Sequence, residues 1–173
     1  MTWKKLSSKQ VYQNRFMTVT EEELVTNGGD KVTFGIVHKE PAVIIIPFDG
    51  EKFTLIRQYR YPVDFDSWEF PAGHMEHGSV IETAKVELEE EAGIIAEHLK
   101  EIGTFHIAPG HLTQVCHVFL ATGLILGHRH LEIAEKGMKI GHFSHAEINE
   151  MIREGEIKDG LTISALTIFD LYP

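Results

Sequence analysis

The sequence predicts an α/β fold in which a mixed sheet packs between helices. Three observations support this prediction. Strand-like segments precede and follow one central helix, residues 42–48 form a continuous apolar run typical of a buried strand, and two helical segments close the chain. The 173 residues are 43% hydrophobic, which is enough apolar material for a single domain with a full core.

Strands are predicted where alternating or continuous apolar residues lie between turn signals. Phe16 to Val25 alternates and is followed by Asn27-Gly28-Gly29-Asp30, which is typical of a turn. Asp49-Gly50 is typical of a hairpin turn, so we expect the strand after it to pair with the strand before it. The predicted strands cover residues 16–25, 31–39, 42–48, 53–59, 99–107, 113–121 and 138–143.

The central helix is predicted from its end signals. Ser79 and Glu82 have the Ser-x-x-Glu spacing of a capping box, which places the start of the helix just after Gly78. Gly93 is the residue type that commonly follows the last turn of a helix, so the helix is expected to end there.

Two further helices and one long loop are predicted in the C-terminal part of the chain. Ser144 and Glu147 form a second capping box, and the helix that they start is expected to end at Gly155. A third helix is expected over residues 161–171. Residues 122–137 are predicted to form a long loop, which in a compact domain is usually functional or mobile.

Composition argues against several classes of function. The net charge of −10 disfavours a broad nucleic-acid surface, since a polyanion is bound by clustered Lys and Arg. The sequence contains neither a run of 18 apolar residues nor a signal peptide, so we expect a soluble, cytoplasmic protein with no membrane partner. Cys116, the single cysteine, is interpreted as a buried structural thiol. The eleven histidines are scattered, and Gly127-His128-Arg129-His130 is interpreted as an exposed loop.

Three acidic residues of the central helix give the strongest indication of function. Glu87, Glu90 and Glu91 are spaced so that they meet on one side of the helix, where uncompensated carboxylates repel one another. A hard divalent cation with oxygen ligands would relieve this repulsion. We expect the acids to point back toward the Pro-Ala-Gly turn of residues 71–73. The alternative is that they form an ordinary solvated helix face.

Residues 71–94 resemble a Nudix box, the loop-helix signature of enzymes that hydrolyse a nucleoside diphosphate linked to another group. The matching positions are Gly73, Glu87, Leu88, Glu90, Glu91, Gly93 and Ile94. Two positions depart from the pattern: the loop glutamate before the helix cap is missing, and the arginine before the first helix glutamate is replaced by Val86. In the resembled family those two residues commonly pair. We expect packing around Val86, helped by Glu76, to replace that brace.

Motifs outside the box are similar to those of the ADP-ribose pyrophosphatase branch, which acts on nucleoside diphosphate sugars. They are Arg57-Gln58-Tyr59-Arg60, residues 68–73, Ala108-Pro109-Gly110, Phe119-Leu120-Ala121 and residues 159–162, and so span nearly the whole chain. The resemblance implies a Nudix-type α/β/α sandwich with a mixed central sheet over residues 41–173. It also implies that residues 1–40 form an antiparallel strand extension, through which the branch usually forms homodimers.

The resemblance implies a metal-dependent hydrolysis of a small nucleotide-sugar substrate, giving a nucleoside monophosphate and a sugar phosphate. Mg²⁺, or Mn²⁺ in its place, is expected to be held by the carbonyl of Ala72 and by the carboxylates of Glu87, Glu90 and Glu91. Glu90 is also counted among the catalytic residues. Phosphoryl transfer asks mainly for positioning and charge stabilisation, so no covalent nucleophile is expected.

Five further residues are candidates for substrate binding. Arg57 or Arg60 could clamp a phosphate, and Trp68 could stack on the base, although aromatic residues beside a core strand are more often packing. Gly110 belongs to the Pro-Gly motif of the branch. Gln114 stands where many members carry a glutamate, which leaves the sugar or base preference open.

The general base is expected on the loop before residue 138. Glu135 is the favoured candidate and Glu132 the second, with a solvated loop acid as the alternative reading for each. A different class of function stays open as well. In that reading the altered box belongs to a non-catalytic protein that binds nucleotide sugars or regulates a partner on a Nudix scaffold.

Overall fold

The computed structural model describes residues 2–75, 78–131, 135 and 137–173, and the chain divides into two compact units. The first comprises Met1–Pro41 with His106–Val115, and the second comprises Ala42–Phe105 with Cys116–Pro173. None of the helices within these described ranges is long and apolar enough to span a membrane.

The first unit contains an antiparallel sheet of three strands in the order β1-β2-β3. The strands are β1 (Lys4–Gln13), β2 (Thr18–Val25) and β3 (Lys31–His38). The predicted turn between β2 and β3 is confirmed: the Thr26 N–H donates to the Asp30 carbonyl, and Gly29 has a φ of 91°. The sequence patterns did not indicate β1, because its residues are mostly polar and all of them are exposed.

The second unit contains two sheets and three helices among its described residues. One sheet has the order β7-β4-β9-β8 and the other the order β10-β5-β6. The strands are β4 (Ala42–Pro47), β5 (Phe53–Arg60), β6 (Phe65–Glu69), β7 (Ala72–His74), β8 (Ile94–His106), β9 (Val115–Leu126) and β10 (Lys139–Phe143). The helices are α1 (Val80–Ala92), α2 (His145–Glu154) and α3 (Gly160–Leu171).

Strand β4 lies at the centre of this unit, and all six of its residues are buried. It runs parallel to β9 and antiparallel to β7, so the sheet is mixed. Val43 and Ile45 share a core cluster with Ala84 and Leu88 of α1. Because strand side chains alternate, the other β4 residues face the opposite side, and α3 also contacts β4. Helices therefore cover both faces, which confirms the predicted α/β/α sandwich.

The predicted pairing of β4 with β5 is wrong. Strand β5 pairs with β6 and β10, and only an isolated bridge between Phe48 and Phe53 joins the two arms of the expected hairpin. Both edges of β4 are already occupied by β7 and β9. The turn itself is as predicted, since Asp49 Oδ1 accepts hydrogen bonds from the N–H groups of Glu51 and Lys52. The chain thus turns and enters a different sheet.

The helix ends confirm the predictions made from their capping residues. Capping boxes are formed at both Ser79 and Ser144, and the closing residues Gly93 and Gly155 have φ values of 65° and 79°. Strand ends differ more. Strand β8 starts five residues before its predicted start, and β9 continues to Leu126, so the first part of the predicted loop 122–137 is strand. Backbone pairing extends these strands past their apolar centres.

The approach to the Pro-Ala-Gly turn is fixed by the first turn of α3. The Phe70 N–H donates to Thr162 Oγ1 at 3.0 Å, and that hydroxyl donates to Asp159 Oδ2 at 2.7 Å. Phe70 and Thr162 are both fully buried. Since a buried N–H needs a partner, this pair anchors the backbone directly before residues 71–73.

Candidate active site

Glu91 connects the last turn of α1 to strand β7. Its side chain is only 3% exposed, and its Oε2 accepts a hydrogen bond of 2.9 Å from the N–H of Ala72. A carboxylate on a helix thus holds the backbone of the strand that follows the Pro-Ala-Gly turn. The expectation that the helix acids point toward this turn is correct for Glu91.

Gly73 makes room for the second carboxylate. A Cβ atom built on Gly73 would lie 1.8 Å from Glu87 Oε1 and 2.1 Å from Glu87 Cδ, far inside contact distance. The Glu87 carboxylate therefore lies against the Gly73 backbone, one residue from the backbone group that Glu91 binds. Gly73 is needed here for close approach, because its φ is not in the left-handed region.

The electrostatics of Glu91 indicate a group of acids around it. The pKa of Glu91 is raised to about 8, chiefly by burial and also by the charges of Glu87 and Glu135, against the opposing Ala72 hydrogen bond and the charge of Arg60. Glu135, the favoured candidate for the general base, thus lies within electrostatic reach of Glu91. Glu132, the second candidate, lies outside the described residues.

The carboxyl oxygens of the helix acids suit a hard divalent cation, although the described side chains do not form a complete set of metal ligands. Oxygen ligands and excess negative charge are what such an ion prefers, and the buried Glu91 beside Glu87 supplies both. Among the described residues, no three His, Cys, Asp or Glu side chains are grouped so that they could hold an ion. Glu90, the third predicted ligand, has a half-buried side chain.

Both predicted phosphate-binding arginines have acidic partners. Arg60 Nη2 lies 2.5 Å from Glu69 Oε2, and Arg60 Nε also donates to this carboxylate, which is buried. Arg57 Nε lies 2.9 Å from Asp66 Oδ2 but is not aligned for a hydrogen bond. Arg60 is therefore committed to an internal ion pair, and Arg57 is held more loosely.

A cavity of about 370 Å³ connects two of the predicted residues. It is lined by Arg57, Gln58, Tyr59, Asp66, Glu135, Gly137 and Met138, so Arg57 and Glu135 face the same space. The Oε1 atom of Gln58 is buried without a hydrogen-bond partner among the described residues. Gln58 was not among the predicted site residues, although it lies inside the Arg-Gln-Tyr-Arg motif, which could have indicated it. Trp68 packs edge-on against Phe143, 4.9 Å between ring centroids.

Gly110 and Gln114 belong to the first compact unit. The Gln114 side chain is 3% exposed, and its Nε2 donates to the Glu40 carbonyl at 2.6 Å. This amide holds backbone in the present structure. The position of a Cβ on Gly110 is open, with no atom within 4 Å. The assignment of these two residues to substrate binding stays a prediction.

The expectation about Val86 is wrong. Val86 is 50% exposed, so packing around it does not replace the missing brace, and Glu76 lies outside the described residues. Residues 127–130 form a loop, as predicted, with His128 and His130 exposed; Arg129 is half-buried, and its Nε donates to the Glu91 carbonyl at 2.6 Å. Cys116 is fully buried, and burial raises the pKa of its thiol to about 12, as expected of a structural residue.

The α/β/α sandwich, with a glycine-bounded turn against an acidic helix, defines the Nudix class of hydrolases. The sequence model of the NUDIX domain matches residues 38–147, and the chain belongs to this family. Residues 3–37 match a second model, the nucleoside diphosphate sugar hydrolase N-terminal domain. The predicted resemblance is therefore confirmed, and the chain is a Nudix hydrolase.

Relatives and a solved structure resemble the chain over most of its length. It is 29% identical over 157 residues to an ADP-ribose pyrophosphatase of Bacillus subtilis (strain 168), covering 90% of this chain and 81% of that protein. It is 27% identical over 171 residues to a methanol dehydrogenase activator of Bacillus methanolicus, covering 97% and 92%. The crystal structure of an ADP compounds hydrolase has the same fold, with a TM-score of 0.85, 23% identity and coverage of 98% and 93%.

Gly73→Ala should impair function far more than folding. The new Cβ collides with the end of the flexible Glu87 side chain, which can swing away, so we expect the free energy of unfolding to change by no more than about 1 kcal/mol. Because the displaced carboxylate leaves the site, any turnover should fall by about 10- to 100-fold. Chemical denaturation and steady-state kinetics measure the two effects. Gly160→Ala, where the space is open, is the control. Equal turnover in both variants would contradict this role for Gly73.

Glu91→Gln should remove a pH dependence of stability. The native state keeps the Glu91 proton between the ordinary carboxyl value of 4.5 and about 8, whereas the unfolded chain loses it near 4.5. The free energy of unfolding therefore falls as pH rises through this window. In EDTA, thermal melts across the window should show a steeper decline of Tm for the wild type than for the variant. Glu89→Gln, on the same helix, should decline like the wild type. Parallel curves for all three proteins would show that Glu91 is not responsible.

Proposed function

We propose that this protein hydrolyses the pyrophosphate bond of ADP-ribose or a related nucleoside diphosphate sugar with the help of a divalent cation, Mg²⁺ in the first place. The observation that carries the proposal is the pair of carboxylates, Glu87 and Glu91, held against the backbone of residues 72 and 73 within a Nudix domain. The match of residues 3–37 to a nucleoside diphosphate sugar hydrolase domain supports the substrate class, as does the similarity to an ADP-ribose pyrophosphatase.

The proposed ligands of the cation are the Ala72 carbonyl and the carboxylates of Glu87, Glu90 and Glu91. A bound divalent cation would offset the charge of a pyrophosphate and acidify a water molecule. Small side-chain movements have to bring the third carboxylate in, since the described residues do not already form a complete cage. Glu91 has to give up its proton for this purpose, because a ligand carboxyl must be ionised.

Residues of the cavity beside Glu135 are assigned to the substrate. Arg57 is proposed to bind a phosphate oxygen, since its present partner Asp66 lies at a poor hydrogen-bonding angle. Glu135 is proposed to accept the proton of the attacking water. Arg60 is proposed to act on the substrate only indirectly, because its guanidinium is paired with the buried Glu69. The products from ADP-ribose would be AMP and ribose 5-phosphate.

A non-catalytic regulatory role is the second candidate. It is favoured by the missing box arginine, whose place is taken by the half-exposed Val86, and by the similarity to an activator protein over 97% of the chain. This role requires binding of a nucleotide or of a partner without turnover.

Turnover assays separate the two candidates. ADP-ribose, GDP-mannose, UDP-glucose, dinucleoside polyphosphates and nucleoside triphosphates are each incubated with Mg²⁺, with Mn²⁺ or with EDTA, and the products are separated by chromatography. We expect AMP from ADP-ribose only when a cation is added. Glu135→Gln should lower kcat by about 10²- to 10⁴-fold, and Glu132→Gln should have little effect. Ligand-induced thermal stabilisation without any product would favour the regulatory role instead.

We also propose that the protein forms a homodimer through its first unit. Strand β1 is an edge strand that exposes the large apolar side chains of Leu6, Val11 and Tyr12, and Trp3 directly before it is exposed as well. An exposed edge of this composition favours association with a second copy. Sedimentation equilibrium should give a mass near 39 kDa, about twice the 19.6 kDa of one chain. Leu6→Lys with Val11→Lys should shift this mass toward one chain, whereas a wild-type mass of one chain would refute the proposal.

A further inference from the structure

Arg129 joins two parts of the candidate site through backbone carbonyls. Its Nε donates to the carbonyl oxygen of Glu91 at 2.6 Å, and its Nη1 donates to the carbonyl oxygen of Met138 at 2.8 Å. The side chain is partly buried. One planar guanidinium therefore spans the end of α1 and the residue directly before β10.

The first of these contacts lies where a helix has carbonyl groups to satisfy. The carbonyl of Glu91 belongs to the last turn of α1, whose carbonyls lack partners within the helix and attract a cation. The neighbouring backbone lies at the same helix end: the Gly127 N–H donates to Gly93 at 2.8 Å and the His130 N–H donates to Glu90 at 3.1 Å. Residues 127–130 are thus fixed onto the end of the helix.

The second contact reaches the segment that carries the proposed base. The N–H of Met138 donates to the carbonyl of Glu135 at 3.0 Å, which closes a turn between the two residues. Met138 is buried in the same core cluster as Leu88 of α1. The guanidinium of Arg129 thus holds Met138, whose N–H binds the backbone carbonyl of Glu135.

The charge of Arg129 also interacts with acids of the candidate site. Burial lowers the pKa of Arg129, while the charges of Glu91 and Glu135 act in the opposite direction, so both carboxylates are near enough to attract it. Its Nη2 atom is buried without a hydrogen-bond partner among the described residues. A buried donor left without a partner costs stability, which is typical of a residue kept for function.

We propose that Arg129 is a positioning residue for hydrolysis, whose guanidinium fixes Glu135 relative to Glu91 by holding the carbonyls of residues 91 and 138. The inference rests on the proposed function. Arg129 of the loop would then connect α1 to the segment before β10, in a chain that has Val86 where the box normally has an arginine.

The test compares Arg129→Ala and Arg129→Lys with the control Arg153→Ala, which removes an exposed arginine of α2. Each folded protein is assayed for kcat and KM on ADP-ribose with Mg²⁺. We expect Arg129→Ala to lower kcat by about 10- to 100-fold with a nearly constant KM, as for residues that orient a catalytic group. Arg129→Lys should also be slow, because an ammonium cannot span two carbonyls as a planar fork does. Added guanidinium chloride should restore part of the rate to Arg129→Ala and none to the control.

Three results would overturn the inference: wild-type kcat in folded Arg129→Ala, full activity in Arg129→Lys, or a raised KM at constant kcat, which would make Arg129 a substrate ligand. Hydrogen exchange of the amides of residues 137–139 gives a readout independent of turnover. Exchange should quicken in both Arg129 variants and stay unchanged in Arg153→Ala. If the wild type shows no turnover, the proposed function fails, and unchanged exchange in the variants separately refutes the fixing of this segment by Arg129.

Discussion

The hydrogen bond between the buried Glu91 carboxylate and the Ala72 N–H is the contact on which the candidate site depends. It joins the last turn of α1 to β7, an edge strand of the central sheet, and thereby sets the distance between the helix acids and the backbone of the turn. Because the neighbouring Gly73 has no side chain, the Glu87 carboxylate fits against its backbone, in space that a Cβ atom would occupy. Both carboxyl groups thus lie beside backbone groups of the same turn, and the charge of Glu87 helps to raise the pKa of Glu91. Carboxyl oxygens gathered in this way suit the divalent cation of the proposed function.

Local signals in the sequence were sufficient to predict the helices and the fold class. Each capping box is completed by residues three positions apart, and Gly93 ends α1 through its own backbone conformation, so no distant contact enters. Strand pairing is different. Asp49-Gly50 does form a turn, but the partner of β5 depends on which sheet edges remain open, and both edges of β4 are occupied by β7 and β9. The residue pattern gave no signal for β1, because its residues are exposed and mostly polar; only the family resemblance led us to expect strands within residues 1–40.

The acids of the site could be predicted from their spacing along one helix, whereas the contact of Arg129 with that helix could not. The spacing of Glu87 and Glu91 puts both on one side of α1 whatever the helix packs against. Arg129 lies 38 positions from Glu91 and binds carbonyl oxygens, which every residue possesses, so no residue type in the helix signals the contact. The expectation about Val86 failed for a different reason: its position lies on the side of α1 opposite the buried Ala84 and Leu88, and its side chain is 50% exposed there. Packing partners that come from distant segments are decided by the assembled fold.

Charge balance connects these findings. The positive groups whose fields reach Glu91 are Arg60 and, among the described residues near the loop, Arg129. Arg60 is already paired with Glu69, whereas Arg129 donates to two neutral carbonyls and keeps its positive charge. Burial above all, together with the charges of Glu87 and Glu135, raises the pKa of Glu91 to about 8 despite the charge of Arg60. In the proposed function the proton and the divalent cation would therefore compete for the Glu91 carboxylate, and binding of the cation would release the proton. The proposed support of the box helix by Arg129 comes from the loop after β9, a segment outside the box itself.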